Sequence, residues 1–206
     1  MVLRTFSPAR AWHPVVVARL ARTLALTETC NPMAVRVVPY SDAWPSEFAA
    51  VRTELLAAFS DDTILIEHIG STSVPGLCAK PVIDVLVGAS LLKTIEVAIP
   101  RLAAAQYEYV SKYEVELPMR RYFVRQELHG FRVHVHAVVN GSKIWNEHLA
   151  FREALRSNTG TRDVYARLKT KLALAHENDK AAYTAAKAPF ITRILNSPAS
   201  AVASEG

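Results

Sequence analysis

Hydrophobic and polar positions follow two rhythms along this chain, and the changes between them divide it into elements. Val35-Arg36-Val37-Val38 alternates and is β-branched, which predicts a short strand. Pro45 suits the first turn of a helix, where its missing N–H costs little. Phe48, Val51, Leu55, Leu56 and Phe59 follow at helical spacing, so a helix is predicted over 44–59. Asp61-Asp62 marks a turn, residues 63–69 (TILIEHI) read as a strand, and 70–80 as a loop of small and hydroxyl-bearing residues. Residues 81–87 (PVIDVLV) are almost continuously apolar, as in a strand covered on both faces. A helix over 91–104 precedes strand-like runs at 107–110, 121–126 and 131–139, with His129-Gly130 as a hairpin turn between the last two. From Lys143 the period is helical, predicting helices over 143–156, 161–177 and 179–195. Tyr165, Leu168, Leu172 and Ala175 form one apolar stripe there, and Tyr183, Lys187, Phe190, Ile191 and Ile194 another.

These elements predict one domain over residues 34–196, with a frayed tail at 197–206. Residues 1–33 mix Pro, Thr and Arg without element signals. They read as a poorly ordered leader, an over-extended start ahead of Met33, or a transit-like segment that is Arg-bearing and acid-poor. A chain of 206 residues is long enough for one full core. With 50% hydrophobic and 21% charged residues it is not intrinsically disordered. No apolar run approaches the roughly 18 residues of a membrane span, so no membrane partner is expected. Cys30 and Cys78 cannot build a disulfide framework, which makes a reduced, cytoplasmic setting the expectation. The net charge of +5 is unevenly spread: residues 1–33 carry four arginines and one acid, the remainder 20 basic and 18 acidic residues. A nearly neutral body does not favour nucleic acid as a partner, despite a pI of 9.3.

The chemistry concentrates between Glu67 and Asp84. A Gly-Ser pair after a strand lets backbone N–H groups approach a ligand without obstruction by Cβ. Gly70, Ser71, Thr72 and Ser73, with the compact charge of Lys80, suit a phosphate. Asp84 is the one acid inside the apolar strand, and an ionised carboxylate there is costly unless paired or holding a metal. His134 and His136, two apart on a predicted strand, point to one side. With Asp84 on the same face they would make a two-His-one-carboxylate set for Zn²⁺, Mn²⁺ or Fe²⁺; otherwise they face a polar groove or a phosphate. His68 either joins this site or caps the sheet. Arg152 suits a phosphate clamp, because its fork matches the oxyanion. His148 reads as a histidine inside an apolar stripe, and Trp145 as core. Arg120, Arg121 and Arg125 around Tyr122-Phe123 fit an exposed edge strand guarded by charge. Lys169 and Lys187 read first as surface or rim residues, and otherwise as side chains reaching the phosphate.

The sequence resembles the GrpB family in several separate blocks. These are Val38-Pro39-Tyr40, the Trp44-Pro45 helix start, Ile66 to Val87, His134-Val135-His136, Trp145-Asn146-Glu147-His148-Leu149-Ala150-Phe151-Arg152, and Lys187-Ala188-Pro189-Phe190-Ile191. The resemblance implies an α+β fold: a mixed sheet with a nucleotidyltransferase-like core, related to the DNA polymerase beta superfamily, and C-terminal helices packed on it. It implies binding of a nucleotide or another phosphorylated small molecule at Gly70–Ser73. By the same resemblance Asp84 is the candidate catalytic residue, and a divalent metal (Mg²⁺, Mn²⁺ or Zn²⁺) the candidate cofactor. The superfamily's second acid, two residues on, is Leu86 here, and the neighbouring strand offers His134 and His136 in place of a third acid. Mg²⁺ prefers oxygen ligands. Metal-dependent nucleotidyl transfer and a catalytically silent binding or accessory module therefore stand as alternatives. GrpB-like domains are also joined to dephospho-CoA kinases, which implies an accessory role near phosphorylated metabolites.

Overall fold

The structure is a computed structural model that describes residues 35–128 and 131–197. The predicted leader, the His129-Gly130 turn and the tail beyond Ser197 lie outside the described residues. In chain order come α1 (Trp44–Phe59), β1 (Leu65–Ile69), β2 (Val82–Ala89), α2 (Leu92–Ala104), β3 (Glu108–Tyr109), β4 (Arg120–Leu128) and β5 (Phe131–Val139). Helices α3 (Lys143–Ser157), α4 (Thr159–Ala175), α5 (Lys180–Ala185) and α6 (Ala188–Leu195) close the domain. The five strands form one sheet in the order β1-β2-β5-β4-β3. The β2–β5 pair is parallel and the other pairs antiparallel, so the expected α+β class with a mixed sheet is what the chain adopts.

Strand alternation assigns the two faces of this sheet. Ile83, Val85 and Val87 of β2, Val133, Val135 and Ala137 of β5, and Phe123 of β4 are fully or almost fully buried. They pack with Leu55 and Phe59 of α1 and with Ile95 and Leu102 of α2. The opposite face carries Ile69, Leu86 and Val138 against Trp145 of α3, with Ile144 and Leu149 beside them. Trp145 comes so close that a Cβ on Gly88 would lie 2.6 Å from its ring. Ser142 accepts from the Trp145 backbone N–H and caps α3, fixing where that tryptophan enters. The C-terminal helices therefore cover the face on which Asp84 sits.

Four expectations change. The run at 35–38 forms an isolated bridge, Val38 with Ala79, rather than a strand. The helix predicted over 179–195 is two helices, because Pro189 at the start of α6 cannot donate into a continuing α5. β4 is not an edge strand, since β3 pairs with it, and Arg121 and Arg125 are buried. Arg121 pairs with Glu96 at 2.7 Å and Glu114 at 3.2 Å, while Arg125 pairs with Glu54. Finally, Lys169 is no surface residue: it is 2% exposed.

Candidate functional site

The parallel pairing of β2 with β5 sets Asp84 opposite His134, and β4 sets Tyr122 opposite His136. These four side chains thus share the helix-covered face. His134 Nδ1 lies 3.3 Å from Asp84 Oδ1, and the two side chains keep 26% and 27% exposure, so the pair is open to solvent rather than sealed in the core. Burial raises the Asp84 pKa, but the hydrogen bond from His134 and the electrostatic influence of His134, His136 and Lys187 outweigh it and leave it below the usual carboxylate range.

Around this acid the sheet collects rings and cations. Tyr122 lies 5.7 Å from the His134 ring and 5.1 Å from that of His136, and His148 of α3 sits 5.3 Å from His136. His136 Nδ1 is 3.3 Å from the Arg120 guanidinium. Burial, with His148 and Arg120 adding repulsion, drives the His136 pKa down to about 3. The His148 pKa is lowered too, first by burial. Lys80, at the end of the loop, and Lys187, ahead of α6, reach the same ring: their Nζ atoms lie 5.1 and 4.5 Å from the centre of Tyr183. Burial lowers both lysine pKa values, Lys187 to about 8, and Asp84 acts against that lowering in each case. Among the described residues, no ion pair engages either lysine.

Gly70 joins the loop to the acid. Its φ is +71°, and a Cβ there would come within 2.9 Å of Asp84 Cβ and Cγ. Gly70→Ala is therefore expected to lower stability by about 1–3 kcal/mol through strain alone and to displace Asp84 from His134. Urea unfolding, with the His134 ring resonances as a local probe, measures both.

The other residues named from sequence divide. Ser71 bonds Lys169 at 2.9 Å. The Thr72 hydroxyl donates to the Val82 carbonyl at 3.0 Å and contacts His68 Nε2 at 3.0 Å. Ser73 Oγ donates to the Gly70 carbonyl at 2.7 Å, so both buried hydroxyls already hold the turn. Arg152 donates to Glu67 at 2.7 Å and to the His68 carbonyl at 2.9 Å. Thr72, Ser73 and Arg152 line a separate cleft of 320 Å³ with His68 and Phe48. His68 sits on the other face, stacked on Phe48 with ring centres 4.5 Å apart, and does not join Asp84. The structure thus brings Lys80, Asp84, His134 and His136 to one face and sends Arg152 elsewhere.

Two site residues, Lys169 and Lys187, read from sequence first as surface or rim residues. Tyr165, Lys169 and Ala173 form the buried stripe of α4, at i, i+4 and i+8. A stripe drawn through Leu168 and Leu172 misses Lys169. Lys187 does lie on the stripe with Tyr183, and its place among apolar residues was the available signal.

The trio proposed to hold a metal shares a face, but part of its donor set is engaged, by Arg120 and within the trio itself. Arg120 can only donate, so His136 Nδ1 is its acceptor and Nε2 carries the hydrogen. His134 turns Nδ1 toward Asp84, leaving one ring nitrogen and part of a carboxylate free. Among the described residues, no group of three or more His, Cys, Asp or Glu side chains is placed to hold a metal ion. The position of the second acid is filled by Leu86, fully buried beside Ile69, Val138 and Trp145. This donor set, hemmed in by cations, does not fit a divalent metal.

A sheet with a Gly-Ser turn feeding an acid-bearing central strand, closed by C-terminal helices, matches a known family. The chain belongs to the GrpB protein family, whose model matches residues 34–197. It is 33% identical over 170 residues to the glutamate-rich protein GrpB of Alkalihalophilus pseudofirmus, covering 81% of this chain and 97% of that one. The crystal structure of conserved protein GrpB from Enterococcus faecalis superposes with a TM-score of 0.68 at 34% identity, over 77% of this chain and 94% of that one. A dephospho-CoA kinase of Mycobacterium bovis is 28% identical over 177 residues, 75% of this chain but 44% of the kinase. A structure of the Cid1 poly(U) polymerase aligns at 12% identity over 70% of this chain and 46% of that one, with a TM-score of 0.41. Among the described residues, no helix is long and apolar enough to cross a membrane.

Proposed function

We propose that the Asp84 face binds a phosphorylated small molecule, nucleotides included, with Lys80 and Lys187 as its phosphate contacts. The observation that carries this reading is the pair of lysines converging on Tyr183 beside Asp84, without an ion-pair partner among the described residues. Holding two ammonium groups together in a partly buried place costs free energy unless an anion joins them. Asp84, already engaged by His134, neutralises little of that charge. It serves to orient His134 and Lys187 rather than to hold a metal. Tyr122, His136 and His148 offer ring faces next to the phosphate position, which suits a ligand with a planar group.

Leu86 favours binding without metal-dependent nucleotidyl transfer, since the second acid has no seat in a dry apolar cluster. A binding or accessory module is the reading this supports, and the likeness to part of a dephospho-CoA kinase is consistent with work beside phosphorylated metabolites. Thermal unfolding with inorganic phosphate, a nucleoside monophosphate and a nucleoside triphosphate tests it. A ligand present at about 100 times its Kd stabilises by about 2.7 kcal/mol. The Lys80→Ala, Lys187→Ala double variant is expected to keep its fold by circular dichroism and lose that gain. Stabilisation that survives in the double variant, or none with any of the three, would refute this assignment.

A further inference from the structure

We propose that Ser71 is a nucleophile with Lys169 as its proton acceptor, and that it takes a phosphoryl group from the bound ligand before water removes it. The substrate class rests on the anion-site reading; the chemistry stands on separate geometry. Lys169 Nζ lies 2.9 Å from Ser71 Oγ and also donates to the Cys78 carbonyl. Tyr165, one turn earlier on α4, has its ring centre 4.9 Å from that Nζ. Among the described residues no carboxylate pairs with Lys169.

A lysine that is 2% exposed and lacks a counter-ion tends to shed its proton. Burial, with Lys187 adding repulsion, brings its pKa down to about 7. The neutral amine has two hydrogens and one lone pair. One hydrogen goes to the Cys78 carbonyl. The contact to Ser71 Oγ, in which the protonated lysine donates, reverses in the neutral amine, whose lone pair then accepts the Ser71 proton, as an activated serine requires. Anchoring the loop does not demand this lysine. Thr72 to Val82 and Ser73 to Gly70 already fasten the turn. Ser71 keeps partial exposure, while Thr72 and Ser73 are buried.

The step balances without an external oxidant or reductant. Ser71 Oγ attacks phosphorus while its proton passes to Lys169. The bond from phosphorus to the leaving oxygen breaks, and Lys169 returns the proton to that oxygen. Water then attacks the phosphoserine, giving one proton to Lys169 and restoring the serine and free phosphate. Lys80 and Lys187 would balance charge on the phosphoryl oxygens.

A fluorophosphonate probe tests nucleophilicity independently of the natural substrate: fluoride leaves and a phosphonyl adduct remains on the attacking oxygen. Peptide mapping of the wild-type chain is expected to place the adduct on Ser71, with a labelling rate that rises with pH through about 7. Lys169→Met and Lys169→Arg should both label more slowly, by about 10²–10⁴-fold, the usual contribution of a positioned base. The arginine variant keeps the charge but cannot accept a proton, so labelling of Lys169→Arg at the wild-type rate overturns the proposal. So does a wild-type chain unlabelled at Ser71. Phosphate-dependent stabilisation measured on the same samples shows separately whether the anion site stands.

Discussion

Leu86→Asp, which would place a second acid two residues beyond Asp84, is expected to lower unfolding stability by about 3–5 kcal/mol, the cost of an uncompensated buried charge. Leu86 is fully buried and packs with Ile69, Val138 and Trp145. Aspartate there loses the leucine's transfer energy and must either bury an unpaired charge or protonate. His136 stands opposite on β5, but its ring is neutral and Arg120 occupies its accepting nitrogen, so no cation is ready to compensate. Urea unfolding at pH 7 gives the number directly. A variant as stable as wild type that gained Mg²⁺-dependent turnover would mean that the apolar cluster is a replaceable plug, and that the metal chemistry has been misjudged.

The apolar rhythm made the centre of the fold legible. The continuous run at 81–87 became β2, buried on both sides, and the alternation of 131–139 became β5 with its histidines on one face. Gly70 and Asp84 were legible for a sharper reason: an acid in an apolar strand and a glycine after a strand are both unfavourable without a local cause. Here each is the other's cause, since the glycine leaves the room that the carboxylate occupies. The arginines of β4 were opaque because their partners, Glu54 and Glu96, come from helices distant in sequence. A charged residue looks solvent-facing until the fold brings its counter-ion. Lys169 was hidden differently. Leu168 offers the better apolar stripe, yet α4 turns Lys169 inward to Ser71. Periodicity ranks faces by hydrophobicity and so passes over a polar residue buried for what it does.

Lys169→Met should remove part of the rise of stability with pH that the wild-type chain shows above neutrality. In the folded chain the Lys169 pKa is about 7, against an ordinary value of 10.5. Below pH 7 both folded and unfolded chains hold the proton, and the full burial penalty applies. Between pH 7 and 10.5 the unfolded chain binds the extra proton, so stability climbs with pH, by at most about 1.4 kcal/mol per unit for one proton. Tyr165, Tyr183 and Tyr107 have raised pKa values and act in the opposite sense at the alkaline end. Lys187, lowered to about 8, and Lys80 add a rise of the same sign as Lys169. The contributions of all these other groups are shared by wild type and variant, so the difference between the two chains at each pH reports Lys169. Urea midpoints at pH 7, 8 and 9 should therefore converge on, or overtake, those of Lys169→Met as pH rises, after allowance for the constant loss of the Ser71 and Cys78 hydrogen bonds. Methionine fills the same volume without a charge to bury, so near neutrality it should be the more stable occupant or close to it. A lysine kept where methionine would serve the fold as well is a residue whose proton matters. Parallel pH profiles for the two chains would mean that Lys169 stays charged throughout, leaving Ser71 without a base.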